Sequence, residues 1–114
     1  MEIKKENRPW GSFRQFTNDN LSAVKIIKVK AGARLSLQYH ERRDEFWRVM
    51  SGHPTITIGE ETKTASPGDE FFITKKTKHR IAGSHDDVEI LEIAYGDFDE
   101  DDIVRIEDDF GRVK

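Results

Sequence analysis

Apolar and polar side chains alternate in short runs along this chain, and almost nowhere do they recur at the three-to-four spacing of a helix. The alternation predicts strands around Phe13 to Phe16, over Ala23 to Val29, from Leu35 to His40 and from Phe46 to Met50. Thr55 to Ile58 and Thr62 to Ala65 flank Gly59-Glu60 and read as a hairpin. Glu70 to Ile73, Val88 to Tyr95 and an edge strand over Ile103 to Ile106 complete the set. Turn residues separate these runs: Pro9-Trp10-Gly11, Thr17 to Asn20, Ser51-Gly52, Ser66 to Asp69 and Gly83 to Asp87. Thr74 to Lys78 is a polar, basic connection leading into His79. The opening Met1 to Arg8 is expected as an arm or edge segment, and the acidic stretch Gly96 to Asp102 as a helical turn or a loop. Short strands bounded by turns at regular spacing indicate an all-β sandwich or barrel, here as one domain over residues 1–114.

The stretch from Gly32 to Gly52 carries the chemistry. Successive strand residues point to opposite faces, so Leu35, Leu37 and Tyr39 share one face, and Ser36, Gln38 and His40 share the other. Gln38 and His40 therefore project together, and Glu45 opens the next strand, in position to come back beside them. An amide oxygen, an imidazole and a carboxylate form a ligand set for a divalent metal, and His79 is the best-placed fourth ligand. Nitrogen and oxygen donors suit Zn, Co, Mn, Ni or Fe. The competing reading is a hydrogen-bonded polar cluster inside a barrel, since buried polar groups must find partners. Arg43, Lys78 and Arg80 adjoin the ligand positions and are candidates for gripping a phosphate, with Arg34 a weaker one; the alternative is solvated surface charge. His53 and His85 sit in turn contexts and read as surface residues, whereas Trp47 and Tyr39 read as core or interface aromatics.

Composition narrows the class. A chain of 114 residues is long enough for one real core, and the absence of cysteine excludes disulfides, thiolate metal sites and cysteine nucleophiles. No apolar run reaches membrane-spanning length, and the first residues lack the apolar segment of a signal peptide. The formal charge of −3 argues against general nucleic-acid binding. With 36% charged residues and a mean hydropathy of −0.74, a soluble domain in the cytoplasm is expected, with no membrane partner.

The spacing is also specific. Six positions lead from Gly32 to Gln38, two more to His40, five more to Glu45 and seven more to Gly52. This resembles the first motif of the cupin superfamily, with Gln38 where many cupins carry a histidine. Pro67-Gly68-Asp69 through His79 resembles the second motif, although Thr74, Lys76 and Gly83 replace its usual Pro, Gly and Asn. Arg8 to Phe13, Leu35 to His40, Arg43 to Trp47, Thr77 to Arg80 and Glu100 to Arg112 narrow the likeness. Together they resemble the type II phosphomannose isomerases, specifically the C-terminal isomerase domain of bifunctional mannose-1-phosphate guanylyltransferase/mannose-6-phosphate isomerases.

The resemblance implies a cupin (double-stranded β-helix, jelly-roll) barrel standing alone, without the guanylyltransferase half. It implies a metal-dependent isomerase interconverting mannose 6-phosphate and fructose 6-phosphate. Gln38, His40, Glu45 and His79 would hold a divalent ion, Zn first among the candidates. Arg43 and Arg80 would bind phosphate or steady the enediolate, with Lys78 assisting in substrate binding. A homodimer formed through edge strands follows by the same likeness, and Gly96 to Asp102 would pack across the barrel opening. Arg42 and Phe46 stand where the family commonly has histidines, changing charge and size at the expected mouth of the site. Two other outcomes stay open: a non-catalytic or regulatory cupin binding a sugar or small acid, and another small cupin enzyme such as an epimerase or dioxygenase.

Overall fold

The computed structural model describes residues 3–18, 22–96, 99 and 101–113. Its strands are β1 (Lys4–Arg8), β2 (Gly11–Asn18), β3 (Ser22–Val29), β4 (Leu37–Tyr39), β5 (Arg43–Ser51) and β6 (Thr55–Ile58). They continue as β7 (Glu61–Thr64), β8 (Glu70–Ile73), β9 (His79–Ala82), β10 (Val88–Gly96) and β11 (Val104–Glu107). Among the described residues there is no helix. Two antiparallel sheets face each other, one ordered β1-β2-β3-β10-β5-β8 and the other β11-β4-β9-β6-β7.

The expected strands are present, with three differences. The polar opening segment is an edge strand, β1, paired with β2 in register from Lys4↔Gln15 to Arg8↔Gly11. Residues His79–Ala82, which the alternation left as the end of a connection, form β9 between β4 and β6. The ligand-bearing run Leu35 to His40 is ladder-paired over Leu37–Tyr39, with Arg34 making an isolated bridge to Ala82. Asp19 and Asn20 of the expected second turn, and Asp97, Phe98 and Glu100 of the acidic stretch, lie outside the described residues.

The alternation along the two longest central strands decides where the core ends and the site begins. On β5 the inward residues run Arg43, Glu45, Trp47, Val49, from polar to apolar. On β10 they run Val88, Ile90, Glu92, Ala94, from apolar to polar or small. Because the strands are antiparallel, Ile90 pairs with Val49 in the apolar zone, and Glu92 pairs with Trp47 at its border with the polar end. The neighbouring β3 extends both zones, placing Ile27 opposite Ile90 and Lys25 opposite Glu92. One end of the barrel is thereby a packed core that includes Phe13, Ile27, Val29, Val49, Ile56, Ile73, Ile81, Val88 and Ile90. The other end is lined with charge.

Gly52 ends β5 with φ +80°, a left-handed conformation that side chains resist. A Cβ there would also collide with the main-chain oxygen of Asp87 and with Val88. The last glycine of the first motif is thus required by a turn that packs directly on the start of β10.

Candidate metal centre and cavity

His40, Glu45 and His79 converge inside the barrel, all three with no more than 2% of their surface exposed. Glu45 Oε2 lies 3.2 Å from His40 Nε2, and Glu45 Oε1 lies 3.6 Å from His79 Nε2. One ligand atom from each residue falls within 4.8 Å of the others, a spacing that a single divalent ion spans. Gln38 reaches the same point, its Nε2 3.5 Å from His40 Nε2. Its amide oxygen accepts from Ser36 Oγ at 2.6 Å, so a half-turn of the amide presents that oxygen to the cluster.

The sequence reading has Glu45 returning beside Gln38 and His40 on a paired strand. Instead, β4 belongs to the five-stranded sheet and β5 to the six-stranded one. Glu41 and Arg42 carry the chain across the barrel end, so the ligands meet across the interior rather than along one ladder. His79 is the cross-strand neighbour of Gln38.

Each histidine is held by its far nitrogen. His40 Nδ1 donates to the main-chain oxygen of Asp102 at 2.6 Å, and His79 Nδ1 to that of Thr77 at 2.9 Å. Both Nε2 atoms are thereby turned inward as electron-pair donors, the usual orientation of metal-binding imidazoles. His79 Nε2 is buried and has no hydrogen-bond partner among the described residues. A buried acceptor left without a partner is costly, and a divalent cation satisfies it. Nitrogen and oxygen donors thus fit a metal of the Zn-to-Mn range.

Burial raises the pKa of Glu45, but its contacts with His40, His79 and Arg43 outweigh that and hold the carboxyl well below its ordinary value. Burial lowers the pKa of His79, favouring the neutral ring that a metal requires. Arg43, itself buried, sits against the cluster: Nη2 lies 3.1 Å from both His40 Nε2 and Glu45 Oε2. A metal ion would compete with this guanidinium for the same two atoms.

Beside the cluster opens a cavity of about 640 Å³, a size typical of small-molecule sites. Gln38 and Arg43 line it together with Glu92. Lys78 is exposed and Arg80 is buried, and neither lines this cavity. Arg80 alternates to the strand face opposite His79, where Nε donates to Leu35 O at 3.0 Å and Nη1 to Glu107 Oε1 at 3.1 Å. Arg34 pairs with Asp109 at the surface. Arg42 is exposed and pairs with Asp99 at 3.3 Å, while Phe46 lies on the face of β5 opposite Glu45. Neither departure from the family's histidines touches the cluster. His53 and His85 are exposed, and Trp47 is core.

Three polar residues at the site escape sequence reasoning. Glu92 is buried and accepts from Trp47 Nε1 at 3.2 Å; burial first, then the charge of Glu45, pushes its pKa up to about 7. Its signal was an acid at an inward position of Val88-x-Ile90-x-Glu92-x-Ala94. Asp102 is buried within the acidic stretch, and its carboxylate accepts from Glu41 N at 2.9 Å and Arg42 N at 3.0 Å. Side chain and carbonyl together tie that stretch to the ligand loop, and nothing local in the sequence marks this. Arg105 lines the cavity from β11.

This two-sheet barrel has the cupin fold. CapF of Staphylococcus aureus, a capsular polysaccharide assembling protein, superposes with a TM-score of 0.81 at 19% identity over 93% of this chain and 34% of its own. A cupin-2 domain from Rhodospirillum rubrum superposes at 0.74 with 13% identity, covering 86% of this chain and 72% of its own. The chain belongs, more narrowly, to the family described as Mannose-6-phosphate isomerase C-terminal, which matches residues 2–108. It is 39% identical over 111 residues to the xanthan biosynthesis protein XanB of Xanthomonas campestris, covering 96% of this chain and 24% of that protein. It is 40% identical over 107 residues to the alginate biosynthesis protein AlgA of Pseudomonas aeruginosa, covering 92% of this chain and 22% of that one. The chain thus spans about a quarter of the length of these curated relatives.

Proposed function

We propose that this chain is a metal-dependent sugar-phosphate isomerase that interconverts mannose 6-phosphate and fructose 6-phosphate. The observation that carries the reading is the buried Nε2 of His79, without a hydrogen-bond partner among the described residues, which faces Glu45 and His40 behind the Gln38 and Arg43 side chains that line the cavity. Membership in the mannose-6-phosphate isomerase C-terminal family supports the choice of reaction.

Gln38, His40, Glu45 and His79 would hold the ion. When bound, a divalent metal supplies Lewis acidity to a substrate oxygen and stabilises negative charge developing there. Aldose–ketose interconversion removes a proton from C2 and returns one to C1, so a group outside the ligand set must carry it. Glu92 is that group by position: a buried carboxyl on the cavity wall, and not one of the four ligands. Hydrogen bonding from Trp47 Nε1 fixes its orientation. Arg43 contributes a buried positive charge at the same wall, facing the oxygens on which charge develops. The core end of the barrel closes the cavity floor with Phe13 and Ile27, excluding water from one side.

The test is mannose 6-phosphate isomerisation by purified protein, stripped with chelator and resupplied with Zn, Co, Mn, Ni or Fe. Turnover that depends on metal and disappears in His40→Ala and His79→Ala is the expected result, and those variants also exclude a contaminating isomerase. Protein that binds metal but turns over no mannose 6-phosphate with any of the five would end the isomerase reading.

A further inference from the structure

Among the described residues, basic side chains outnumber acidic ones around the cavity. Arg8, Lys25, Arg43, Arg105 and Arg112 line it, against Glu92 and Asp101. Three of those guanidiniums are close enough for Arg105 to feel the positive charge of both Arg8 and Arg112. The outer two have carboxylates of their own. Arg8 pairs with Glu6, and Arg112 grips Asp108 through Nε at 2.7 Å and Nη2 at 3.1 Å. Arg105 has no ion pair among the described residues, and its Nε is buried without an acceptor among them. Basic surface clusters are common, but a buried N–H without an acceptor is not. Burial first, then the Arg112 and Arg8 charges, outweigh the opposing carboxylate of Asp108 and disfavour the charged form of Arg105. A bound anion would relieve the crowding of charge and the missing acceptor together.

The location is informative. Arg105 stands opposite Gln38 in the β11–β4 register, so its side chain leaves the sheet on the same face, one strand away from the ligand set. A molecule that touches both the cluster and Arg105 needs a hydroxyl- or carbonyl-bearing end and an anionic end.

We propose that Arg105, flanked by Arg8 and Arg112, is the anion seat of this cavity and takes the phosphate of a phosphorylated sugar whose other end faces Gln38, His40, Glu45 and His79. This rests on the sugar-phosphate reading above and moves the phosphate away from Lys78 and Arg80. A phosphate monoester offers three terminal oxygens, enough to accept from Arg105 Nε and from neighbouring guanidinium N–H groups. A neutral sugar offers none of that charge, so the seat selects phosphorylated over free hexoses.

The experiment titrates chelated wild-type protein with inorganic phosphate, mannose 6-phosphate and mannose. Binding is followed by calorimetry and by the arginine Nε–H resonances. Phosphate and mannose 6-phosphate should bind, mannose should not, and Arg105 Nε–H should move most. Arg105→Gln should weaken both anions by about tenfold to a hundredfold, the scale of a lost charged hydrogen bond. Arg105→Lys should recover part of it as a point charge. Lys28→Gln, the same charge loss at an exposed position of β3, should change nothing. Failure of wild type to bind phosphate, equal binding by Arg105→Gln, or shifts confined to other arginines would overturn the proposal. Should Arg105→Gln not fold, the wild-type Nε–H shift decides. The two readings separate cleanly. Loss of anion binding in Arg105→Gln without any isomerisation by wild type leaves the seat standing and ends the isomerase. Isomerisation with an unchanged KM in Arg105→Gln does the reverse.

Discussion

Gln38 and His79 face each other across the β4–β9 ladder, the point at which the first ligand-bearing segment meets the second. That pairing is set by main-chain hydrogen bonding, so the amide and the imidazole arrive together whenever the sheet forms. Glu45 then closes the cluster from the opposite sheet. The site is thus a by-product of barrel closure, and its occupancy should report on the stability of the barrel.

Metal removal should therefore lower the melting temperature. An ion bound to the folded chain alone adds about 2.7 kcal/mol when present at a hundredfold excess over its Kd. Thermal melts of chelated protein with and without Zn should separate accordingly. His79→Ala should abolish the difference. A wild-type melt indifferent to every divalent metal would show that the cluster holds none.

Asp102 tethers the acidic stretch to the ligand loop through two main-chain N–H groups, while its carbonyl fixes the ring of His40. Asp102→Ala should free both N–H groups, at a cost of about 1–3 kcal/mol. Metal affinity should fall by about tenfold to a hundredfold, because His40 loses its orientation. Calorimetric titration with Zn, alongside denaturant melts, checks the two effects. Unchanged affinity would mean that His40 is positioned by packing alone.

The elevated pKa of Glu92 carries a signed prediction for metal-free protein. Between its ordinary value of 4.5 and about 7, the folded chain holds a proton that the unfolded chain has released. This contribution is full below 4.5, declines as pH rises through that window, and is gone above about 7. His79 acts in the opposite sense: its lowered pKa gives stability at high pH that is lost as pH falls below its ordinary 6.5. The difference between wild type and Glu92→Gln isolates the first effect. Denaturant melts from pH 4.5 to 7.5 should show wild type losing stability relative to the variant as pH rises. A flat difference would place Glu92 in a wetter setting than its burial indicates.

Much of this was legible locally. Alternation in Val88 to Tyr95 and Thr55 to Ile58 marks strands because the pleat repeats every two residues. The same rule put Ser36, Gln38 and His40 on one face, and Ser36 and His40 are indeed buried there. Glu45 was marked by its spacing and His79 by the likeness of the stretch after Pro67-Gly68 to the second cupin motif, but that Glu45 comes from the opposite sheet was not legible. The β9 strand was hidden because His79-Arg80-Ile81-Ala82 is buried at three successive positions and does not alternate.

What the chain determined by itself is most of the strands and turns, the inward face of the Ser36 to His40 run and the candidate residues for holding a metal. These depend on neighbours one or two positions apart, and the periodicity of the backbone exposes them. What the tertiary structure decided is which charges face inward together. Arg80 is consumed by Glu107, Arg105 is drawn to the cavity beside Gln38, and Glu92 is set next to Trp47 and Glu45. Each of those outcomes depends on strand pairing between residues distant in sequence, and no local pattern encodes such pairings.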